Sequence, residues 1–318
     1  MKWQKKGLIF KPSGDLVWSK THAQVPVADF IEKENIIKVY FSTRDEYGRS
    51  MPGYIILDAD NPKNIIEVGS KPILELGNLG TFDDCGVMPS WLVNHGDEKW
   101  LYYIGWNVRN TIPYHNAVGL AISKDDGKTF KKFSDGPLWE RNYNEPHYSG
   151  TSCVLFDEGI WKNWYLSCTE WRIVDEKSEP RYHIKYAESK DGINWNRTGE
   201  IAIDYKDEDE AGIVKASVII ENGIYKMWYS YRLFHDYRTS PQSSYKIGYA
   251  ESFDGKSWKR MDNNKEMSLS IAKNIEEWDG LMVAYPHVID VKDKRLMFYN
   301  GNGFGVSGFG YAVLTESN

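Results

Sequence analysis

Cysteine is scarce in this chain, with three in 318 residues. Cys85, Cys153 and Cys168 lie far apart among small or apolar neighbours, which argues against a disulfide framework and leaves reduced core thiols as the plain reading. The CxxC and HxxxH spacings of common zinc sites are missing, so the sequence points to no metal and no cofactor. Long apolar runs are missing too. No window approaches the ~18 apolar residues of a membrane helix, and the opening MKWQKKGLIF has no apolar stretch of signal-peptide length. A cytoplasmic protein that does not engage a membrane is the expectation. Basic excess is also absent: 39 Lys and Arg against 45 Asp and Glu leave a net charge of −6, which argues against a nucleic-acid polymer as partner.

Aromatic residues, by contrast, are plentiful, with 13 Trp and 21 Tyr, and 27 Gly and 12 Pro punctuate the chain at short intervals. That mixture favours many short strands over long helices and gives an all-β expectation. The length permits either two ordinary domains or one large β domain.

An internal repeat chooses between them. YAESKDGINW (186–195) recurs as YAESFDGKSW (249–258), and LAISKDDGKTF (120–130) is a third copy with one extra Asp. Their serines, Ser123, Ser189 and Ser252, are 66 and 63 residues apart. A repeat of this kind signals stacked supersecondary units, none able to bury its own faces alone. Within a unit the order is constant: an apolar strand (TSCVLF), an Asp-Glu-Gly turn, an aromatic strand (WKNWYLS), a polar loop, a third strand (YHIKYAES), then the Asp-Gly turn and a fourth strand. The next unit repeats this as KASVII, Asn222-Gly223, YKMWYSY, YKIGYAES and SWKRM, and Asn-Gly between alternating apolar runs is a strong hairpin signal. Two divergent units, VPVADF with IIKVYFSTR and YPHVIDV with RLMFYNG, bring the count to five, MPSWLV with WLYYIGW opening the remaining one.

The fold class expected is therefore a five-bladed β-propeller of four-stranded antiparallel blades, a single domain over residues 1–318. The last blade stops at YAVLTESN without a fourth strand, while WQKKGLIF at the N-terminus resembles WNRTGEIAI of the third. The N-terminal strand is expected to complete the last blade and close the ring, with Trp3 in the place held by Trp195 and Trp258. The repeated Ser-Asp-Gly segment is read as a self-bonded turn whose following aromatic packs between blades, not as a catalytic motif.

Chemistry is sought where the repeats differ. Counting back from the aligned first strands, Asp83, Glu145 and Glu210 fall at equivalent places with Asp279 one residue away, and these acids are expected to converge on a central funnel. The loops after the second strands add Arg44, Arg109, Arg172 and Arg232. Guanidinium forks recognise carboxylate or phosphate, which suits an anionic sugar, a sugar phosphate, a nucleotide sugar or phosphate itself. The competing reading pairs them with nearby Asp45, Glu170 and Asp236 as surface ion pairs.

Nearly the whole chain resembles the five-bladed propeller glycoside hydrolases, the superfamily of arabinanases and β-xylosidases, invertases and levansucrases, and mannoside phosphorylases. YAxSxDGxxW resembles their outer-strand turn, FDDCGVMPSWLV their approach to the second blade, and Glu145-Pro146-His147 is similar to the Glu-Gly-Pro-His segment around their general acid. The resemblance implies cleavage or transfer at a glycosidic bond by one protonated carboxyl and one carboxylate. The resemblance places Glu145 as acid; the enzyme reading then takes Asp83 or Asp84 as the residue tuning it and Asp279 or Glu210 as base. Gln24, His22, His147, Tyr285 and His287 join the arginines as candidate substrate contacts. One departure matters: where many relatives carry an Asp before the first inner Pro, this chain reads His22-Ala23-Gln24-Val25-Pro26. Either another acid has taken that role, or the protein binds carbohydrate without cleaving it. An interaction scaffold is a third reading.

Overall fold

The computed structural model describes residues 1–316. Strand β1 (Lys2–Phe10) is followed by four antiparallel groups in chain order. The first holds β2 (Thr21–Ile31), β3 (Ile36–Arg44), β4 (Ser50–Asp58) and β5 (Ile65–Val68). The second holds β6 (Gly86–His95), β7 (Glu98–Val108), β8 (Tyr114–Ser123) and β9 (Lys131–Lys132). The third holds β10 (Ser149–Asp157), β11 (Ile160–Val174), β12 (Lys177–Ser189), β13 (Trp195–Asn196) and β14 (Ile201–Ile203). The fourth holds β15 (Glu210–Glu221), β16 (Ile224–Leu233), β17 (Lys246–Ser252) and β18 (Lys259–Arg260). The last three strands, β19 (Ala284–Val291), β20 (Lys294–Asn300) and β21 (Phe309–Thr315), form a sheet in the order β1-β21-β20-β19.

The N-terminal strand thus pairs antiparallel with β21 in the last group, as the sequence predicts. Its register places Trp3 opposite Leu314, the relation Trp195 has to Ser189 in the third group. First strands of consecutive groups touch: β2 meets β6, β6 meets β10, β10 meets β15, β15 meets β19, and β19 meets β2.

The hairpin turns follow the sequence. Asn222 and Gly223, like Glu158 and Gly159, have positive φ (53° and 74°, 51° and 80°), the two-residue geometry that matches strand twist. One expected loop is absent. The polar stretch after WKNWYLS is instead a long hairpin, laddered from Glu170–Arg181 out to Val174–Lys177. Asp175 and Glu176 both adopt left-handed φ at its tip, so the ladder continues where polarity suggested a break.

The repeated turn has a structural job. Ser189 Oγ accepts hydrogen bonds from the backbone N–H of Asp191 (3.2 Å) and Gly192 (3.0 Å) and donates to Asp191 Oδ1 (2.9 Å). Ser123 and Ser252 do the same in their copies. The glycine carbonyl then faces the preceding group. Gly192 O accepts from Tyr102 (2.8 Å) and from its own Trp195 (3.1 Å), and Gly255 O accepts from Trp164 (2.7 Å) and Trp258 (2.9 Å). In the last group, Met267 O accepts from both Trp228 and Trp3, each at 2.9 Å. The copies are therefore staples between neighbouring sheets. Gly192 has φ +74°, and an added Cβ would meet Tyr102, Trp100 and Trp161 at 3.0–3.1 Å. Gly192→Ala is expected to lose about 1–2 kcal/mol, read as a lowered urea midpoint.

Candidate central cavity

All five groups contribute walls to one cavity of about 470 Å³. His22, Gln24 and Arg44 come from the first, Trp106 and Tyr114 from the second, Glu179 and Tyr182 from the third. Arg232, Tyr237, Arg238 and Tyr245 come from the fourth, Tyr285 and Phe304 from the last. The shared register explains the choice of arginines. Arg44, Trp106 and Arg232 each lie four residues beyond the aligned second-strand aromatics Tyr40, Tyr102 and Trp228, which pair with Val27, Trp91 and Ser217. Side chains alternate along a strand, so this spacing returns each to the same face.

Arg232 is the most buried of these charges. Its guanidinium carbon lies over Tyr237, 3.9 Å from the ring centroid, and 5.3 Å from that of Tyr182. Two donors are used internally, Nη1 to Leu233 O (2.9 Å) and Nη2 to Pro180 O (3.1 Å). Nε is buried with no hydrogen-bond partner. Gly212, opposite Arg232 in the ladder, leaves the space this requires, because a Cβ there would sit 2.9 Å from Arg232 Cγ and Nε. Tyr182 and Tyr245 hydrogen-bond each other through their hydroxyls, and burial pushes the Tyr245 and Tyr285 phenols well up.

Arg44 is bonded through Nε to Gln24 Oε1 (3.2 Å), and burial lowers its guanidinium pKa. Burial, with Arg44 beside it, pushes the His22 imidazole down to about 4, so His22 is neutral at pH 7. Glu179 accepts from Tyr237 (2.6 Å) and is paired with Arg238 (2.5 Å). The cavity therefore carries one compensated ion pair and two guanidiniums, those of Arg44 and Arg232, that pair with no carboxylate among the described residues.

The acids expected at the funnel are elsewhere. Asp83 is buried and held by Lys132 (2.7 Å), Tyr103 (3.0 Å) and Thr81 (3.0 Å). Glu145 is held by Ser167 (2.8 Å), Tyr165 (3.0 Å), Arg197 (3.0 Å) and Lys185 (3.1 Å). Glu210 takes both forks of Arg260 (2.7 and 2.8 Å), and Asp279 takes Lys5 (2.6 Å) and Tyr299 (2.9 Å). Their equivalence in sequence is real, and its meaning is architectural: each acid ties the start of a first strand to a cation on the outermost strand or just after it. Tyr103, Tyr165 and Tyr299 occupy one second-strand position where the first group has Phe41, and no such acid precedes β2.

Asp84, whose Oδ2 accepts from Gly80 N–H (2.9 Å), does not line the cavity either. Neither do Arg109, His147, Arg172 or His287. Arg172 makes the surface ion pair that was its competing reading, with Glu170 at 2.6 Å. Asp45 pairs with Arg49 rather than Arg44. His287 is a buried packing residue, bonded to Ala28 O (3.1 Å) and against Trp91.

Two proteins of Mycobacterium tuberculosis, described as uncharacterized proteins Rv1502 and MT1551, are each 36% identical to this chain over 314 residues, spanning 99% of both partners. The chain belongs to the Rv1502 family. No family model matches it. Among solved structures, a glycoside hydrolase superposes with a TM-score of 0.73 at 18% identity, covering all of this chain and 92% of its own. A thermostable family-43 glycoside hydrolase gives 0.68 at 17%, covering 94% and 90%. A protein described with the GH130 family of mannoside phosphorylases gives 0.70 at 16%, covering 98% and 93%. The fold of this Rv1502-family chain is that of the propeller glycoside hydrolases.

Glu179, Tyr182, Tyr237, Arg238, Tyr245 and Phe304 went unrecognised in the sequence. Both Glu179, within the unexpected hairpin, and Tyr182, just past it, ride on β12. Tyr237 and Arg238 sit in the connection after β16, whose composition, LFHDYRTSPQSSY, was the one available signal.

Proposed function

We propose that this chain is a five-bladed propeller, closed through β1, that takes a small anionic carbohydrate into the central cavity and acts on it as a glycosidase-like enzyme in the cytoplasm. The ring of contacts among first strands supports the blade count and closure. The observation that carries the ligand is the pair of guanidiniums, Arg44 and Arg232, uncompensated at a cavity walled by tyrosine and tryptophan. Aromatic faces pack on a sugar ring while guanidinium forks take its charged group. In this reading Gln24, His22 and Tyr285 orient hydroxyls, and the Glu179 carboxylate takes a proton from a water that attacks the anomeric carbon, while the leaving oxygen is protonated from solvent as the glycosidic bond breaks. Glu179 is the one carboxyl among the described lining residues. Glu179→Gln is expected to lower turnover by about 10²–10⁴-fold with binding retained, measured by product release from charged glycosides.

A second reading, binding without cleavage, is favoured by the four equivalent acids being committed inside the sheets and by Glu179 being held by Arg238 and Tyr237. A ligand recovered intact after prolonged incubation with the wild-type chain selects it.

A further inference from the structure

Resting on the reading of the cavity as the ligand site, we propose that Arg238 selects the ligand by taking the carboxylate of an acidic sugar in exchange for that of Glu179, which already occupies its fork. Nη1 of Arg238 meets Glu179 Oε1 at 2.5 Å, Nη2 lies 3.4 Å from Oε2, and the Tyr237 hydroxyl donates to Oε2 at 2.6 Å. Three donors arranged in this way fit a flat anion with two oxygens, and Glu179 shows the shape they accept. The two ends of the pair differ in access. The Glu179 side chain is 5% exposed and that of Arg238 50%, so an incoming group meets the guanidinium first. The receptor is also held in place by the chain. Asp236 O accepts from the backbone N–H of Thr239 (2.9 Å) and Ser240 (2.7 Å), closing a turn around Tyr237 and Arg238, and the Arg238 guanidinium carbon lies 4.2 Å from the Tyr237 ring centroid.

The charge of the lining permits the exchange. Arg44, Arg232 and Arg238 each bring a positive charge, Glu179 brings the one negative charge, and His22 is neutral at pH 7. A singly charged ligand therefore enters a wall that stays positive, which offsets the repulsion between its carboxylate and Glu179. One ion pair replaces another and no covalent bond breaks. Glu179, needed as base yet held by Arg238, keeps the Tyr237 bond on Oε2 and gains Oε1 as a free acceptor for the proton of the attacking water. A neutral sugar leaves the fork on Glu179. Selection and release of the base are thus one event, which ties the preference for an acidic sugar to turnover as well as to binding.

The test is calorimetric titration of the full chain at pH 7.5 and constant ionic strength with glucuronate, galacturonate, their uncharged methyl esters, glucose and galactose. In the wild type a uronate is expected to bind about ten-fold or more tightly than its ester. Glu179→Gln removes the internal competitor and is expected to tighten the uronate about ten-fold, with esters and hexoses unchanged. Arg238→Gln is expected to bring the uronate down to the affinity of its ester. A pair that only ties the connection after β16 to the β11–β12 hairpin makes no such split, so a uronate bound no more tightly by Glu179→Gln than by the wild type overturns the inference. A uronate still favoured over its ester in Arg238→Gln leaves the anionic reading of the cavity standing and removes Arg238 from it. Uronates, esters and hexoses bound alike leave the carbohydrate reading standing and overturn the receptor. No member of the panel bound at millimolar concentration overturns both. Should Glu179→Gln fail to fold, as read by far-UV dichroism, Arg238→Gln and the wild-type series decide alone.

Discussion

Glu145→Ala is expected to destabilise the protein by about 3–5 kcal/mol, the cost of leaving buried cations without their carboxylate. Lys185 and Arg197 both close on Glu145 at 3.0–3.1 Å, and Tyr165 and Ser167 donate to it as well. Urea unfolding monitored by tryptophan fluorescence measures the loss. The experiment also separates two roles for a residue that sequence similarity marks as a general acid. A group reserved for proton transfer can be removed with little effect on folding and a large effect on turnover. A group that buckles the first strand to the outer edge of its sheet shows the opposite pattern. A loss under about 1 kcal/mol combined with abolished turnover would return Glu145 to the chemistry.

Lys215→Met is expected to stabilise the protein by about 3 kcal/mol at pH 7. Lys215 is fully buried, its Nζ has no hydrogen-bond partner, and the ammonium lies 4.9 Å from the centroid of Trp91. Burial pushes its pKa from 10.5 down to about 8. Methionine has similar length and no charge to desolvate. The pH dependence has a definite sign. The folded-state pKa is depressed, so between pH 8 and 10.5 the unfolded chain binds the extra proton and wild-type stability rises with pH. Below pH 8 both states are protonated and the full penalty remains. The advantage of Lys215→Met should therefore be constant below pH 8 and shrink towards zero by pH 10.5. Buried tyrosines, whose phenols are pushed up, act on both proteins alike above pH 10 and cancel in the difference. A variant no more stable than wild type at pH 7, by chemical denaturation, would mean that Lys215 has a counter-charge or ordered water offsetting its burial.

Much of the fold was legible because its signals are local. Asn222-Gly223 and Glu158-Gly159 announce hairpins through backbone conformations few other residues adopt. The Ser-Asp-Gly copies announce the outer turn through bonds closed within four residues. The exception, the β11–β12 hairpin, failed because charged residues, Glu179 and Arg181, hold buried places in it where an apolar alternation would have marked a strand.

The candidate site was legible only in part. Gln24, His22, Arg44, Arg232 and Tyr285 were named and do line the cavity, while Arg109, Arg172, His147 and His287 do not. Arg44 and Arg232 share a strand position, so their facing was set by alternation; Arg109 lies beyond β7, where no ladder fixes direction.

By itself the sequence determined the repeat, the strand order and the pairing of the first strand with the last, since each depends on contacts between near neighbours or on a pattern copied along the chain. It also determined that four acids occupy equivalent positions. Only the tertiary structure decided where those carboxyls turn. At the start of a strand a side chain can face the axis or fold back into its own sheet, and the outcome depends on whether a cation waits on the outermost strand. Lys132, Arg197, Arg260 and Lys5 wait there, drawn from 49 to 274 residues away. Burial makes those pairings strong, so the acids turn inward and the cavity is left to arginine, tyrosine and Glu179.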